Sequence, residues 1–376
     1  MLEVAFYGAI LLIVYTYIVF PILLYLLTKI KKDMRCEESN FDTTNSPSVA
    51  IICAMYNEEK VVYDKIQNFL ELTYDNAILY IGSDGSSDRT NIILREYAYE
   101  KKIHIYEFSR RGKVYVINDL LNHVREDIIV FTDANSIFEK KAIINLVKYF
   151  NNPKVGAVCG RLNLLKNGQH SGEGFYWRYE TFIKTMENRI NCVMGANGAI
   201  YAIRRELAGP LPSNTINDDF TMSMRVIEKG YDIKYAKNAV ANEEINHDDT
   251  VEFKRHIRDG AGHYRAVFYL IGLFNPFHPK AFFLYLSHRI IRWLVPFLLI
   301  ALLILPWLMT MSVLSAIINV FQALFYIFAS IGWITRTQNK FFYIPFYFLY
   351  INIALMLGFI RNLLGKQKVT WNSTQR

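Results

Sequence analysis

The hydrophobic and polar positions divide the chain into three regimes. Val4 to Leu27 is 24 residues without a formal charge. As a helix it measures about 36 Å, more than the roughly 30 Å hydrocarbon core, so it is expected to span a membrane. Glu3 precedes it and lysines come after it, whereas a secretory leader carries its positive charge first. Lys29, Lys31, Lys32 and Arg35 cluster at its end, which favours the cytoplasm for the residues from Lys29 onward. Cys36 to Ser48 is polar, carries Pro47 and reads as a linker.

From Pro47 to about Val267, short apolar runs alternate with helical stretches. Strands are expected at Val49 to Ala54, Ala77 to Ile81, Ile103 to Phe108, Ile128 to Thr132 and Val155 to Cys159, with helices at Glu58 to Glu71, Ser87 to Tyr99, Val114 to Val124 and Lys140 to Asn151. This alternation predicts an α/β domain with a largely parallel sheet of nucleotide-binding type. After Asn275-Pro276 the aromatic and basic stretch Phe277 to Arg292 reads as a helix lying in the membrane interface. Spans come next at about Ile290 to Met309, Met311 to Ile334 and Phe342 to Ile360, the first bent by Pro296 and Pro306. The organisation read from sequence is thus a transmembrane helix in 1–30, a soluble domain in 47–267, an interfacial helix in 277–292, about three spans in 290–360 and a basic tail in 361–376. One span before the domain and three after it place both termini outside, whereas Arg361, Lys366 and Lys368 favour the inside. Either a C-terminal segment is re-entrant or interfacial, or the charge rule fails at this end.

Composition agrees with a soluble part joined to membrane-embedded parts: 52% hydrophobic and 15% aromatic residues stand beside 20% charged ones. A net charge of +8 suits nucleic acid in total, but the basic residues gather at the ends of apolar segments, so the bilayer and not nucleic acid is the expected partner. Cys36, Cys53, Cys159 and Cys192 form no Cys-x-x-Cys, which predicts thiols in a reducing compartment and no zinc site.

The chemistry centres on Ile128 to Asn135, a buried strand that stops at Asp133-Ala134-Asn135. Ligands of open α/β sheets sit at the carboxyl ends of strands. In extended backbone Asp133 and Asn135 would share a face and reach one hard cation through oxygen, although a strand closing in an Asx turn gives the same letters. In Ala54-Met55-Tyr56-Asn57-Glu58-Glu59 the ring of Tyr56 is placed to stack on a base, while Asn57 would also serve as an N-cap. In Gly82-Ser83-Asp84-Gly85-Ser86-Ser87-Asp88, small residues let backbone approach a ligand and Asp84 can accept from a ribose hydroxyl or a uracil N–H; a turn and cap would read alike. Arg110-Arg111-Gly112-Lys113, before a helix, suits a diphosphate or a solvated basic turn. Asn217-Asp218-Asp219, after the loop Gly195-Ala196-Asn197-Gly198-Ala199, offers a general base whose pKa burial and a like-charged neighbour would raise, or simply an acidic first turn.

In this order the motifs resemble the membrane-bound family 2 glycosyltransferases of the cellulose-synthase-like and poly-N-acetylglucosamine-synthase-like branch, from Val49 to Ala266 with the flanking spans. Tyr176-Trp177-Arg178-Tyr179-Glu180, Ala199 to Glu206 and Val369-Thr370-Trp371 belong to the likeness. It implies a GT-A fold facing the cytoplasm from the plasma membrane and a UDP-sugar donor. By matched position Tyr56 and Asp84 would hold the uridine with Glu58 close by, and Lys113 would lie near the nucleotide. Asp133 would bind Mg²⁺ or Mn²⁺, with Asn135 as a weaker, neutral ligand where the family often has a second carboxylate. Asp219 would deprotonate the acceptor, supported by Asp218, and the anomeric configuration would invert.

The Gln-x-x-Arg-Trp acceptor motif of polymer synthases aligns with Arg255-His256-Ile257-Arg258-Asp259, which keeps Arg258 and lacks the glutamine and the tryptophan platform. Arg255 and Arg258 are the expected acceptor residues, and Tyr264, Trp177 or Trp293 the aromatics able to replace the platform. The expected function is sugar transfer to a growing exopolysaccharide or capsule glycan, with polysaccharide-export proteins as partners. The alternatives are single-sugar transfer to a lipid such as ceramide or diacylglycerol, favoured by the missing tryptophan, and an inactive nucleotide-sugar sensor or scaffold, disfavoured by the intact aspartates.

Overall fold

Four of the expected apolar runs form one parallel half-sheet. They are β1 Val49–Met55, β2 Ala77–Asp84, β3 Ile103–Phe108 and β4 Ile128–Thr132, in spatial order β3-β2-β1-β4. Every residue of β1 and β4 is buried, as expected for strands covered on both faces. This computed structural model describes residues 1–30, 46–166, 169–170, 175–244, 249–310, 312–337 and 339–370. Lys31, Lys32, Arg35, Cys36 and Trp371, singled out in the sequence, lie outside the described residues, as does the side chain of Trp177.

Beyond β4 the sheet becomes mixed, which corrects the largely parallel expectation. It continues through β5 Ile137–Phe138, β6 Val155–Lys166, β7 Gln169–His170, β8 Tyr201–Arg204 and β9 Asp232–Glu244, in the order β4-β8-β6-β9-β5 with β7 on β6. β8 is antiparallel to both β4 and β6, and β5 to β9, while β6 and β9 are parallel. The hydrophobic pattern hid β8 because it is only four residues ending at an arginine. It hid β9 because the exposed Lys237 and Asn238 interrupt its apolar run at a register shift against β6.

Register brings the site together. Met55 pairs with Ser83, Asp84 with Phe108 and Cys53 with Thr132, so the carboxyl ends of β1, β2 and β4 form one edge. Because β8 runs against β4, with Phe131 opposite Tyr201, the loop before β8 returns to that same edge. The Phe131 and Tyr201 rings stack there, with centroids 4.8 Å apart. Asn57 does not serve as the expected N-cap: it takes a left-handed φ of 52°, and the helix it was expected to open runs over Val62–Leu70.

The chain groups into two compact units. One comprises Leu27–Asn246, Tyr269–Ala281 and Lys368–Arg376 and contains the sheet; the other comprises Met1–Leu26, His247–Phe268 and Phe282–Gln367. His247–Phe268, expected from sequence to end the soluble domain, therefore groups with the apolar helices. Among the described residues four helices are long and apolar enough to cross a membrane: Leu2–Lys29, Pro279–Trp307, Val313–Thr335 and Lys340–Leu363. The stretch expected as an interfacial helix is continuous with the second of these. A π-helical turn, Tyr15–Val19, interrupts the first and another, Tyr285–Ile290, the second. These turns are joined where Thr16 Oγ1 donates to the Ser287 carbonyl at 3.2 Å. Helices Asp249–Tyr269 and Lys340–Leu363 touch at glycine, since a Cβ on Gly358 would meet the Ile257 carbonyl at 2.6 Å.

Candidate active site

The loop after β1 and the loop after β2 clamp each other. Asn57 N–H donates to Ser86 Oγ (3.1 Å), Asn57 Oδ1 accepts from Ser87 N–H (2.8 Å), and Glu58 N–H donates to Thr90 Oγ1 (2.8 Å). Glu59 N–H and Arg89 N–H close the clamp on Asp88 and Glu59 carboxylates. Tyr56 and Glu58 are thereby fixed beside the Gly85 turn. Gly85 is required there: it has φ +66°, and a Cβ would come within 2.7 Å of Arg110 N.

Asp84, expected to meet the uridine, is wholly buried and directs its oxygens to the basic loop. Its carboxylate accepts from Arg111 N–H (2.7 Å) and Gly112 N–H (2.9 Å) and pairs with the Arg110 guanidinium. That guanidinium also lies 3.3 Å above the centre of the Tyr56 ring, a cation–π contact covering one face of the expected base platform. Arg111 pairs with Asp119. The basic loop is thus a structured element whose charges are met by carboxylates, and Asp84 organises it.

Lys113, the first residue of helix Lys113–Leu121, lies between two of the expected carboxylates. Its ammonium is 2.8 Å from Asp133 Oδ1 and 3.2 Å from Asp218 Oδ2. Burial alone would lower its pKa, but Asp133, Asp218 and Asp219 together raise it and keep the group charged. Asp133 does not lie in extended backbone: β4 ends at Thr132, and Ser136 N–H donates to the Asp133 carbonyl at 3.2 Å, closing a turn over Asp133-Ala134-Asn135. Strand alternation therefore does not put Asp133 and Asn135 on one face; whatever they share comes from the turn.

Asp218 and Asp219 open helix Asp218–Glu228, whose Phe220, Met222, Met224, Val226 and Ile227 are buried. Consecutive positions on a helix point about 100° apart, and the two carboxylates have separate partners. Asp218 meets Lys113, while Asp219 Oδ1 accepts from Phe220 N–H (2.7 Å). Burial and the charge of Asp218 raise the Asp219 pKa to about 7, against the opposing effects of Lys113 and the Phe220 N–H.

The glycine-rich loop completes the group. Ala196 N–H donates to Ser223 Oγ (3.0 Å), and Asn197 bonds both the Gly160 carbonyl and Ile200 N–H, which holds Gly198 against the aspartates. The point a Cβ on Gly198 would occupy is 3.0 Å from Asp133 Oδ2 and 3.6 Å from Asp219 Oδ2. Glycine keeps this notch open, so oxygens from β4's turn and the helix start border one small volume. Hard oxygen donors around such a notch suit Mg²⁺ or Mn²⁺ accompanied by a diphosphate.

Lys65, not expected from sequence, is a buried lysine beneath the Asp133 turn that donates to Thr132 Oγ1 (2.8 Å) and the Ser136 carbonyl (2.5 Å). Only its place in an otherwise apolar stripe of Val62–Leu70 signals it. Arg255 and Arg258 lie on helix Asp249–Tyr269, in the other unit, with Arg258 Nε buried and unpartnered among the described residues. A cavity of about 590 Å³, lined by residues including Lys140, Arg161, Lys237 and Val240, contains none of the aspartates of the site, so its size does not make it the place of chemistry.

The family model described as glycosyltransferase like family 2 matches residues 47–262. The poly-beta-1,6-N-acetyl-D-glucosamine synthase of Staphylococcus epidermidis is 26% identical over 203 residues, 51% of this chain and 48% of that protein. The O-antigen chain rhamnosyltransferase RfbN of Salmonella typhimurium is 30% identical over 235 residues, 57% of this chain and 72% of that protein. The beta-monoglucosyldiacylglycerol synthase of Trichormus variabilis is 28% identical over 50% of this chain and 43% of that protein. The chain spans about half the length of the first and third of these relatives. A mannosyltransferase of Pyrobaculum calidifontis, solved with GDP-Man and Mn²⁺, aligns with a TM-score of 0.70 and 20% identity over 97% of this chain and all of that one, which shows a common GT-A fold.

Proposed function

Since the chain belongs to the family 2 glycosyltransferases, we propose that it moves a sugar from a UDP-sugar to a growing glycan at the membrane, with inversion at the anomeric carbon. The observation that carries this reading is the notch at Gly198, where Asp133 Oδ2 and the raised-pKa carboxylate of Asp219 meet. Asp219 takes the proton of the acceptor hydroxyl as that oxygen bonds to the anomeric carbon. The carbon's bond to the diphosphate breaks on the opposite side, and the electron pair leaves with the nucleoside diphosphate. Asp218 and Lys113 hold the neighbouring charge in place; Arg110 and Tyr56 border the nucleoside. Asp133, with Asn135 from the same turn, would hold a divalent cation, which when bound offsets the negative charge of the diphosphate. Lys29, basic at the end of the first apolar helix, supports a catalytic unit on the cytoplasmic side.

Short products, including single-sugar transfer to a lipid, form the second reading, and packing among the apolar helices favours it. Asp259 offers no sugar platform, and two candidate replacements are engaged elsewhere. Tyr264 lies edge-on to Phe297 and Phe359 with its hydroxyl donating to the Trp293 carbonyl (2.6 Å), and Trp293 stacks on His263 at 4.9 Å.

The test is incubation of the full chain in nanodiscs with UDP-, GDP- and dTDP-sugars and Mn²⁺, with mass spectrometry of the products. Release of UDP coupled to a sugar-extended glycan or lipid is expected; transfer from another nucleotide's sugar alone would overturn the UDP assignment. Gly198→Ala closes the notch and is expected to lower kcat/KM by up to roughly 10²-fold, the scale of an ångström-level misplacement, with the thermal midpoint nearly unchanged. Wild-type kinetics in that variant would show that the notch is not where the chemistry occurs.

A further inference from the structure

Lys65 places a positive charge inside the protein, at 2% exposure, on helix Val62–Leu70. Its ammonium sits 4.5 Å from the centre of the Phe138 ring. A methionine would fill the same volume without the desolvation penalty, so packing alone does not account for a lysine here. The ammonium's two oxygen acceptors bracket the Asp133 turn: Thr132 Oγ1 stands just before it and the Ser136 carbonyl just after it. One buried donor thus closes the turn from behind.

The tie extends to the other side of the notch. Thr132 Oγ1 accepts from Lys65 and donates to the Ala199 carbonyl at 3.0 Å, at the end of the loop that carries Gly198. Ser136 Oγ donates to Glu243 Oε1 on β9 at 2.5 Å. The segments bordering Asp133 Oδ2 therefore share one anchor, and that anchor lies on the helix that follows the Tyr56–Glu59 loop. Lys65 thus joins the chain segment after Tyr56 and Glu58 to the two ends of the Asp133 turn.

We propose that Lys65 is a positioning residue for the donor: it fixes the Asp133 turn against the Gly198 loop so that metal and diphosphate meet a preformed oxygen set. The inference rests on the nucleotide-sugar reading of this site. Groups that hydrogen-bond metal ligands are worth about 10- to 100-fold in metal affinity; Lys65 acts one step further back, on the two ends of the turn that carries Asp133.

The experiment compares wild type, Lys65→Met and Thr132→Val, each as the full chain in nanodiscs. Mn²⁺ binding in the presence of UDP, and separately of GDP, is followed by electron paramagnetic resonance, alongside thermal midpoint and donor KM and kcat. Lys65→Met is expected to weaken Mn²⁺ binding with nucleotide by about 10-fold or more and to raise donor KM in step, with a smaller fall in kcat. Thr132→Val keeps the charge but removes one acceptor and the link to Ala199, and is expected to fall between wild type and Lys65→Met. Folded Lys65→Met that binds Mn²⁺ and nucleotide as wild type does would overturn the proposal, whatever its midpoint. Should Lys65→Met fail to fold, Thr132→Val decides: wild-type affinity and KM overturn the role, and weakened binding at an unchanged midpoint supports it. Wild type binding no Mn²⁺ with either nucleotide would instead refute the cation assignment at Asp133 on which the proposal rests, and the role of Lys65 with it.

Discussion

Asp219→Asn is expected to lower kcat by roughly 10²-fold or more, the usual scale of losing a general base, while nucleotide affinity stays nearly constant. Asparagine preserves the side chain's size and can still accept from Phe220 N–H, but it cannot take a proton. The pH profile provides the sign. A carboxyl raised to about 7 is protonated and inactive below that pH, so kcat/KM of the wild type rises with pH and levels off above about 7. A cation held at Asp133 stabilises the carboxylate form, which moves the corresponding limb of kcat to lower pH. Asp219→Asn should lose the limb altogether. If Asp218→Asn were far more damaging than Asp219→Asn, the two roles would be reversed; the Lys113 ion pair to Asp218 argues that it supports charge and does not accept the proton.

Asp133→Ala is expected to reduce activity by about 10²-fold or more, because losing the cation forfeits several kcal/mol of charge stabilisation on the diphosphate. Excess Mn²⁺ should restore little, since Asn135 alone is a neutral donor in the same turn. The fold should persist: Asp133 is partly exposed, whereas the β4 residues before it are all buried. The alanine also removes the nearer carboxylate contact of Lys113, leaving Asp218 at 3.2 Å. Circular dichroism and the thermal midpoint check folding, and a donor assay with and without EDTA checks the metal. Full wild-type activity in EDTA would exclude a catalytic role for the cation.

The aspartates were legible in sequence because each accompanies a strong local signal: a strand end at Asp133, a glycine-flanked turn at Asp84, and a helix start at Asp218 and Asp219. Apolar length alone was enough to find the membrane-crossing candidates. Who pairs with whom was not legible. Asp84 binding the Arg110–Gly112 loop, Arg110 lying on Tyr56 and Lys65 closing the Asp133 turn are contacts over 28 to 71 positions, set by strand order and register. The mixed half of the sheet was hidden for a related reason. β8 and β9 are held by neighbours on both sides, so short length in one and a polar bulge in the other are tolerated by tertiary packing that no local pattern records.

Whether the transfer inverts with Asp219 as the base is read from the anomeric configuration of the product. Proton nuclear magnetic resonance of the new linkage, formed from an α-linked UDP-sugar by wild type and by Asp219→Asn, reads both stereochemistry and rate. A β-linked product is expected from the wild type and the same linkage, formed at roughly one-hundredth of the rate or less, from Asp219→Asn. An α-linked product, or undiminished β-transfer by Asp219→Asn, would contradict inversion with Asp219 as the base.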